Sequence, residues 1–181
     1  MTEAENKIVQ KAMSGHSDSF GQLYDKYQPQ IYRFIFLKVS QKEEAEDLTH
    51  QVFLSAWKNI SRYEERNFPF SSWLYRIARN KVIDHYRTHK EHKPLEEIIQ
   101  LASTEALPDE VMDQNLNLDA VKFALKSATP EQQDVLIMRF VEDMPIKDVA
   151  LSLDKTPGAV KLIQFRAINK LKKILNPSSK K

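Results

Sequence analysis

Cysteine is absent from this chain of 181 residues, so it can form no disulfide and no thiolate metal site; it fits a reducing cytoplasm. Glycine is scarce, only 3 residues, and no Gly-rich fingerprint that would cradle phosphates occurs. No uncharged apolar run is long enough to span a bilayer, and Met1 to Lys7 lack the apolar stretch of a signal peptide. We therefore expect a cytoplasmic protein without membrane insertion. No stretch alternates as a half-buried strand does, so the expected fold is all-α. No nucleophile–base pair, paired-carboxylate motif or metal cluster marks an enzyme, and no cofactor is expected.

What is present is charge, sorted into blocks. The net charge is only +2, but basic residues prevail from Arg76 to Lys93. From Pro94 to Val121 there is no Lys or Arg, while Glu96, Glu97, Glu105, Asp109, Glu110, Asp113 and Asp119 accumulate. After Asp154 no acidic residue occurs, whereas Lys155, Lys161, Arg166, Lys170, Lys172 and Lys173 do. Two basic surfaces separated by an acidic connector suggest two nucleic-acid contacts joined by a linker. Chance clustering in a charged helical protein, or an acidic spacer that only keeps the chain soluble, is the plainer alternative.

Helical periodicity runs nearly throughout. Ile8, Val9, Ala12 and Met13 form a first stripe that Gly15 can end. Phe20, Leu23, Tyr24 and Tyr27 form a second, which Pro29 should break or kink before Ile31, Phe34, Ile35 and Leu37 resume. Ser40 with Glu43 matches a capping box, opening a helix to about Ile60 with Ala45, Leu48, Val52 and Ala56 inward. Residues 61–69 should be a loop. From Phe70 to Arg87 one amphipathic helix turns Trp73, Leu74, Ile77, Ala78 and Val82 or Ile83 to a core, with Arg76, Arg79, Lys81 and Arg87 around the rest. Trp57 and Trp73 read as core anchors. The sequence thus divides into a first domain over 1–93, an acidic linker over 94–110 and a second domain over 111–181.

The second domain carries its own signals. Thr129-Pro130-Glu131-Gln132 is a helix start with a Thr cap, Pro at the first position and Gln at the capping-box position. Ile146, Val149, Ala150 and Leu153 lie on one face of a short helix, and Asp154-Lys155 makes a tight turn in which Asp tolerates the left-handed conformation. Thr156-Pro157 then caps a basic helix with Val160, Ile163 or Gln164, Ala167, Leu171 and Ile174 inward. Short helix, tight turn and capped basic helix is the helix-turn-helix pattern, whose second helix enters the major groove. A generic helical hairpin is the alternative; backbone N–H groups at Thr156-Pro157, suited to phosphate, favour DNA.

These segments together resemble a bacterial sigma factor of the extracytoplasmic-function (ECF) class. Ala45 to Lys58 is similar to the family's polymerase-binding helix. Phe70 to Asn80, with Asp84 and Arg87, resembles its promoter-melting helix. Pro130 to Leu136, Gly158 to Lys161 and Phe165 to Ala167 stand where the family has its C-terminal motifs. The resemblance implies binding of core RNA polymerase through Asp47, His50 and Gln51. It implies opening of the minus-ten element by Asn80 and the loop around Tyr63, with Arg76, Arg79, Lys81 and Arg87 on the backbone of duplex and melted strand. It implies reading of the minus-thirty-five element by Lys161, Leu162, Phe165 and Arg166, with Thr156 and Lys170 beside them. It further implies an anti-sigma partner, and an acidic connector lying in the channel that nascent RNA later occupies.

The chain departs from that family at telling places. His50 and Gln51 stand where relatives carry Gln then Glu. Leu162, Ile163 and Ile168 replace polar or Arg positions, leaving an apolar pair, Leu162 and Phe165, on the expected DNA face. Leu162 could meet a thymine methyl, pack against an inhibitory partner, or face inward if the helical phase differs by one. His85, His89 and His92 share a helix face, but contact with phosphate or simple exposure suits them better than a metal. Two other functions remain open: a one-component regulator using only the helix-turn-helix, and an adaptor that touches no DNA.

Overall fold

The computed structural model describes residues 2–64, 68–92 and 125–175, with side chains omitted for 89–92 and 174–175. Every regular element among them is helical. The chain divides into two compact units, Met1–Glu105 and Ala106–Lys181. The expected linker over 94–110 and the start of the second domain over 111–124 lie outside the described residues.

The first unit is a four-helix assembly. Helix α1 (Glu3–Met13) starts at Thr2, whose side chain accepts the Glu5 N–H at 3.3 Å, and it ends at Ser14. Gly15 follows with φ 89°, a value that glycine adopts without the Cβ penalty. Helix α2 (Ser17–Val39) runs through Pro29 without a break, so of the expected break or kink the first does not occur. The proline removes the hydrogen bond to the Asp25 carbonyl, but both residues are exposed, so water can take its place. Leu23, Tyr27, Ile31 and Phe34 on the opposite face are buried and hold both halves to one core.

Ser40 has a different role from the one expected. It is the left-handed residue that ends α2, φ 63°, donating its N–H to Phe36 O at 2.8 Å. Gln41 precedes α3 (Lys42–Asn59) and makes no side-chain cap. A short 3-10 turn (Ile60–Arg62) leads toward α4 (Phe70–His92). Helix α2 packs against α1, α3 and α4, and α3 packs against α4. Phe34 meets Tyr75 edge-on at 5.4 Å, and Tyr27 meets Phe70 at 5.6 Å. Of the alternatives at the end of the α4 stripe, Val82 is buried and Ile83 is exposed. Trp57, 37% exposed, sits at the rim of the core rather than inside it, its ring against Phe20 at 4.9 Å.

In the second unit Thr129 makes the full reciprocal cap, its Oγ1 accepting from Gln132 N and its N–H donating to Gln132 Oε1. Helix α5 (Pro130–Leu136) passes into a π-helical turn (Ile137–Val141). Helix α6 (Ile146–Leu153) ends at Asp154, φ 57° and ψ 47°, the left-handed turn expected there. Helix α7 (Pro157–Leu175) packs on both α5 and α6. Val135, Ile137, Met138, Val149, Leu153, Val160 and Ala167 make the core. Lys155, in the tight turn, reaches Glu131 of α5 at 2.7 Å.

Candidate polymerase and promoter surfaces

Three outward helix faces hold the residues that the sequence singled out. On α3, Asp47, His50 and Gln51 are all exposed. At about 100° per residue they share one side of the helix, opposite buried Ala45, Thr49, Val52 and Ala56. Leu54, 53% exposed, projects among them. A single exposed leucine is ordinary on a protein surface; what distinguishes this one is its place among the three polar residues. In the sequence only its position, three residues after Gln51, marks Leu54 as a member of this face.

On α4, Arg76, Asn80 and Arg87 fall within about 40° of one another, with Arg79 to one side. Asn80 and Arg87 are exposed, Arg76 and Arg79 partly so. Lys81 lies about 100° round from Asn80, toward the buried flank, so the structure does not bring it into the same cluster. The Arg76 guanidinium sits 5.4 Å over the Phe68 ring, and Arg87 pairs with Asp84 at 3.4 Å. Ile83 is an exposed apolar member of this face, missed because either it or Val82 satisfied the inward stripe.

Tyr63 does not stand where a base could stack on it. It is 4% exposed, its ring against Phe70 at 5.6 Å and Trp73 at 5.2 Å. Its hydroxyl donates to the Phe68 carbonyl oxygen. As placed, Tyr63 belongs to the core and shapes the loop entering α4. Residues 61–69 read as a loop in the sequence, and two aromatic neighbours bury the tyrosine within it.

His85 is likewise occupied. Its Nε2 lies 3.1 Å from Glu44 Oε2 of α3, turning it toward the bundle rather than to phosphate or a metal. His89 and His92 lie outside the described side chains. Tyr86 donates to the Lys38 carbonyl at 2.5 Å, a second tie between α4 and the rest of the unit.

On α7 the helical phase is settled. Val160 and Ala167 are buried; Lys161, Leu162, Phe165, Arg166 and Lys170 are exposed, Leu162 by 48% and Phe165 by 63%. Leu162 thus faces outward, not inward. Thr156 Oγ1 accepts from Ala159 N at 3.2 Å, and Val160 N bonds the Thr156 carbonyl. Those two amides are therefore used within the helix start, where free donors were expected, and Pro157 has none. Gly158 carries the remaining N–H of that first turn.

Residues 23–92 match Sigma-70 region 2, and residues 124–173 match Sigma-70, region 4. The ECF RNA polymerase sigma factor SigX of Bacillus subtilis is 30% identical over 164 residues, 86% of this chain and 83% of SigX. The chain belongs to the ECF family of RNA polymerase sigma factors. The ECF sigma factor BldN of Streptomyces coelicolor is 32% identical over 171 residues, 93% of this chain; the chain spans 65% of BldN. Two solved structures share the fold. CnrH, in complex with the cytosolic domain of CnrY, has a TM-score of 0.75 at 21% identity, covering 98% of this chain and all of CnrH. RpoE of Bartonella quintana, in complex with the anti-sigma factor NepR, has a TM-score of 0.71 at 23% identity over 88% of this chain and 98% of its own. Sigma factors are transcription regulators, not enzymes by family. No helix among the described residues of this one is long and apolar enough to cross a membrane.

Proposed function

We propose that this sigma factor divides promoter recognition and polymerase binding among the three faces just described. The α3 face, Asp47, His50 and Gln51 around Leu54, docks on core RNA polymerase. Burying Leu54 supplies apolar area there, while the polar residues fix register. The α4 face engages the minus-ten element. Asn80 offers both a donor and an acceptor to the edge of an extruded base, and Arg76, Arg79 and Arg87 hold the adjoining backbone. Tyr63 takes the supporting part, fixing the loop from which α4 starts. Lys81 acts at most on backbone outside this cluster. The α7 face reads the minus-thirty-five element in the major groove through Lys161, Leu162, Phe165 and Arg166, with Thr156 and Lys170 at its ends.

The observation that carries this reading is α4 itself: one helix that buries a continuous apolar flank and presents Asn80 among three arginines outside. A regulator using only its helix-turn-helix has no use for that face. An anti-sigma partner is part of the proposal, since both structural relatives are held by proteins of that kind or by the cytosolic domain of a partner. We place the protein in the cytoplasm, where polymerase is.

Reconstitution with core polymerase separates the roles. Asp47→Lys is expected to abolish association with core. Asn80→Ala is expected to leave core association intact and to remove permanganate reactivity of minus-ten thymines. Wild-type melting by Asn80→Ala contradicts the assignment of α4.

A further inference from the structure

The four exposed side chains in the middle of α7 are arranged in a definite order. Counting about 100° per residue from Lys161, Phe165 lies at about 40°, Leu162 at about 100° and Arg166 at about 140°. The apolar pair therefore occupies the centre of the outward face, with one cation on each flank. The buried Val160 and Ala167 lie on the opposite side. Helix α7 contains no acidic residue, and none follows Asp154 anywhere in the chain. Such a face suits a polyanion whose middle offers something apolar. In the major groove the one apolar group on a base edge is the C5-methyl of thymine. A G·C pair presents only N7, O6 and N4 there, and a leucine or phenylalanine would cover these without returning a hydrogen bond.

We propose that Leu162, with Phe165 beside it, selects an A·T pair in the minus-thirty-five element by packing on its thymine methyl. Lys161 and Arg166 hold phosphates or base edges on either side. The proposal rests on reading α7 as the minus-thirty-five helix and adds what that helix chooses. Gly158, on the same outward face one turn earlier, lets the backbone approach closely. Nothing within the protein demands a glycine there: an added Cβ would meet only Thr156 Oγ1, at 3.9 Å.

The test uses holoenzyme formed from the full chain and core polymerase. A promoter pool randomised in the minus-thirty-five region is selected for occupancy, and deoxyuridine then replaces each thymine of the selected element in turn. This change removes one methyl and nothing else. At one thymine we expect occupancy to fall about fourfold, the equivalent of ~0.8 kcal/mol for a buried methylene-sized group. Holoenzyme carrying Leu162→Ala should bind more weakly and no longer distinguish uracil from thymine at that position. Arg166→Ala should keep the fourfold methyl effect. Leu162 is exposed, so an unchanged far-ultraviolet circular dichroism spectrum is expected of the variant. Active holoenzyme that binds every uracil-substituted element as tightly as the thymine form overturns the proposal and assigns the pair to a protein partner. Holoenzyme that initiates nowhere in the pool overturns the sigma reading and the methyl proposal with it; run-off product tells these two failures apart.

Discussion

Glu5 is 7% exposed in α1 and accepts a hydrogen bond from the Tyr27 hydroxyl, while Lys26 Nζ lies 3.1 Å from its other oxygen. Glu5→Ala leaves the Tyr27 hydroxyl buried without its acceptor. A hydrogen bond to a charged group contributes about 1.5–3 kcal/mol. Lys26 is half exposed, so its ion pair adds only a few tenths of a kcal/mol, about the value of a surface pair. The expected cost is therefore about 2–3 kcal/mol in the first unit, measured by urea unfolding at pH 7. Tyr27→Phe removes the other partner, and the double variant should cost less than the two single changes added, by about 1–2 kcal/mol. Burial pushes the Glu5 carboxyl up, but hydrogen bonds from Tyr27 and Lys26 and the Lys26 charge outweigh it, leaving it below its ordinary 4.5. A carboxyl lowered in the folded state stabilises fully above that ordinary value and loses its contribution as pH falls through the lowered one. The gap between wild type and Glu5→Ala should thus persist from pH 7 to about 5 and narrow below about 4. A cost under about 0.5 kcal/mol at pH 7, or a gap that does not narrow in acid, refutes this account. The cluster matters for function because α1 also packs on the Ile60–Arg62 turn that leads to Tyr63 and the start of α4.

Tyr63→Ala is expected to destabilise the first unit by about 3–5 kcal/mol, as a truncated core aromatic does, and chemical denaturation measures it. Near-neutral stability with lost promoter melting would instead return Tyr63 to the bases. Gly158→Ala should stabilise the second unit by up to about 0.5–1 kcal/mol, since the φ is ordinary and the space is open. The same variant should weaken promoter binding by holoenzyme; thermal melting and occupancy are to be read together. Arg166→Ala should cost about 1–3 kcal/mol and relax preference at one promoter position, if Arg166 meets a base. A uniform loss over all single-base variants, with the salt slope reduced by about one, identifies a phosphate contact instead.

The helices were legible because apolar residues recur at 3.6-residue spacing, and the second unit was legible in its caps as well. Thr129, Asp154 and Thr156 act through neighbours within a few residues, so local sequence suffices to place them. Where the decisive partner is distant, sequence failed. Pro29 reads as a breaker because nothing local shows that Leu23 and Ile31, on either side of it, are pinned into one core. Ser40 has the spacing of a cap, yet its own left-handed backbone ends the preceding helix. Glu5 looks like a solvated first-turn acid; its partner Tyr27 is 22 residues on. His85 finds Glu44 from 41 residues away. The site faces were legible in residue type but not in company: Leu54 and Ile83 join them, Lys81 stands apart, and Tyr63 withdraws into the core.

Run-off transcription with purified core RNA polymerase tests the central claim most directly, using a promoter pool and comparing core alone, core with the chain, and core with Asn80→Ala. The account predicts discrete transcripts only when the wild-type chain is present, none from core alone, and none from Asn80→Ala despite its binding to core. The free chain should bind duplex promoter weakly in physiological salt and become specific only in the holoenzyme. Tight, sequence-specific duplex binding by the chain alone, without stimulation of initiation by core, would contradict the account and identify a one-component regulator.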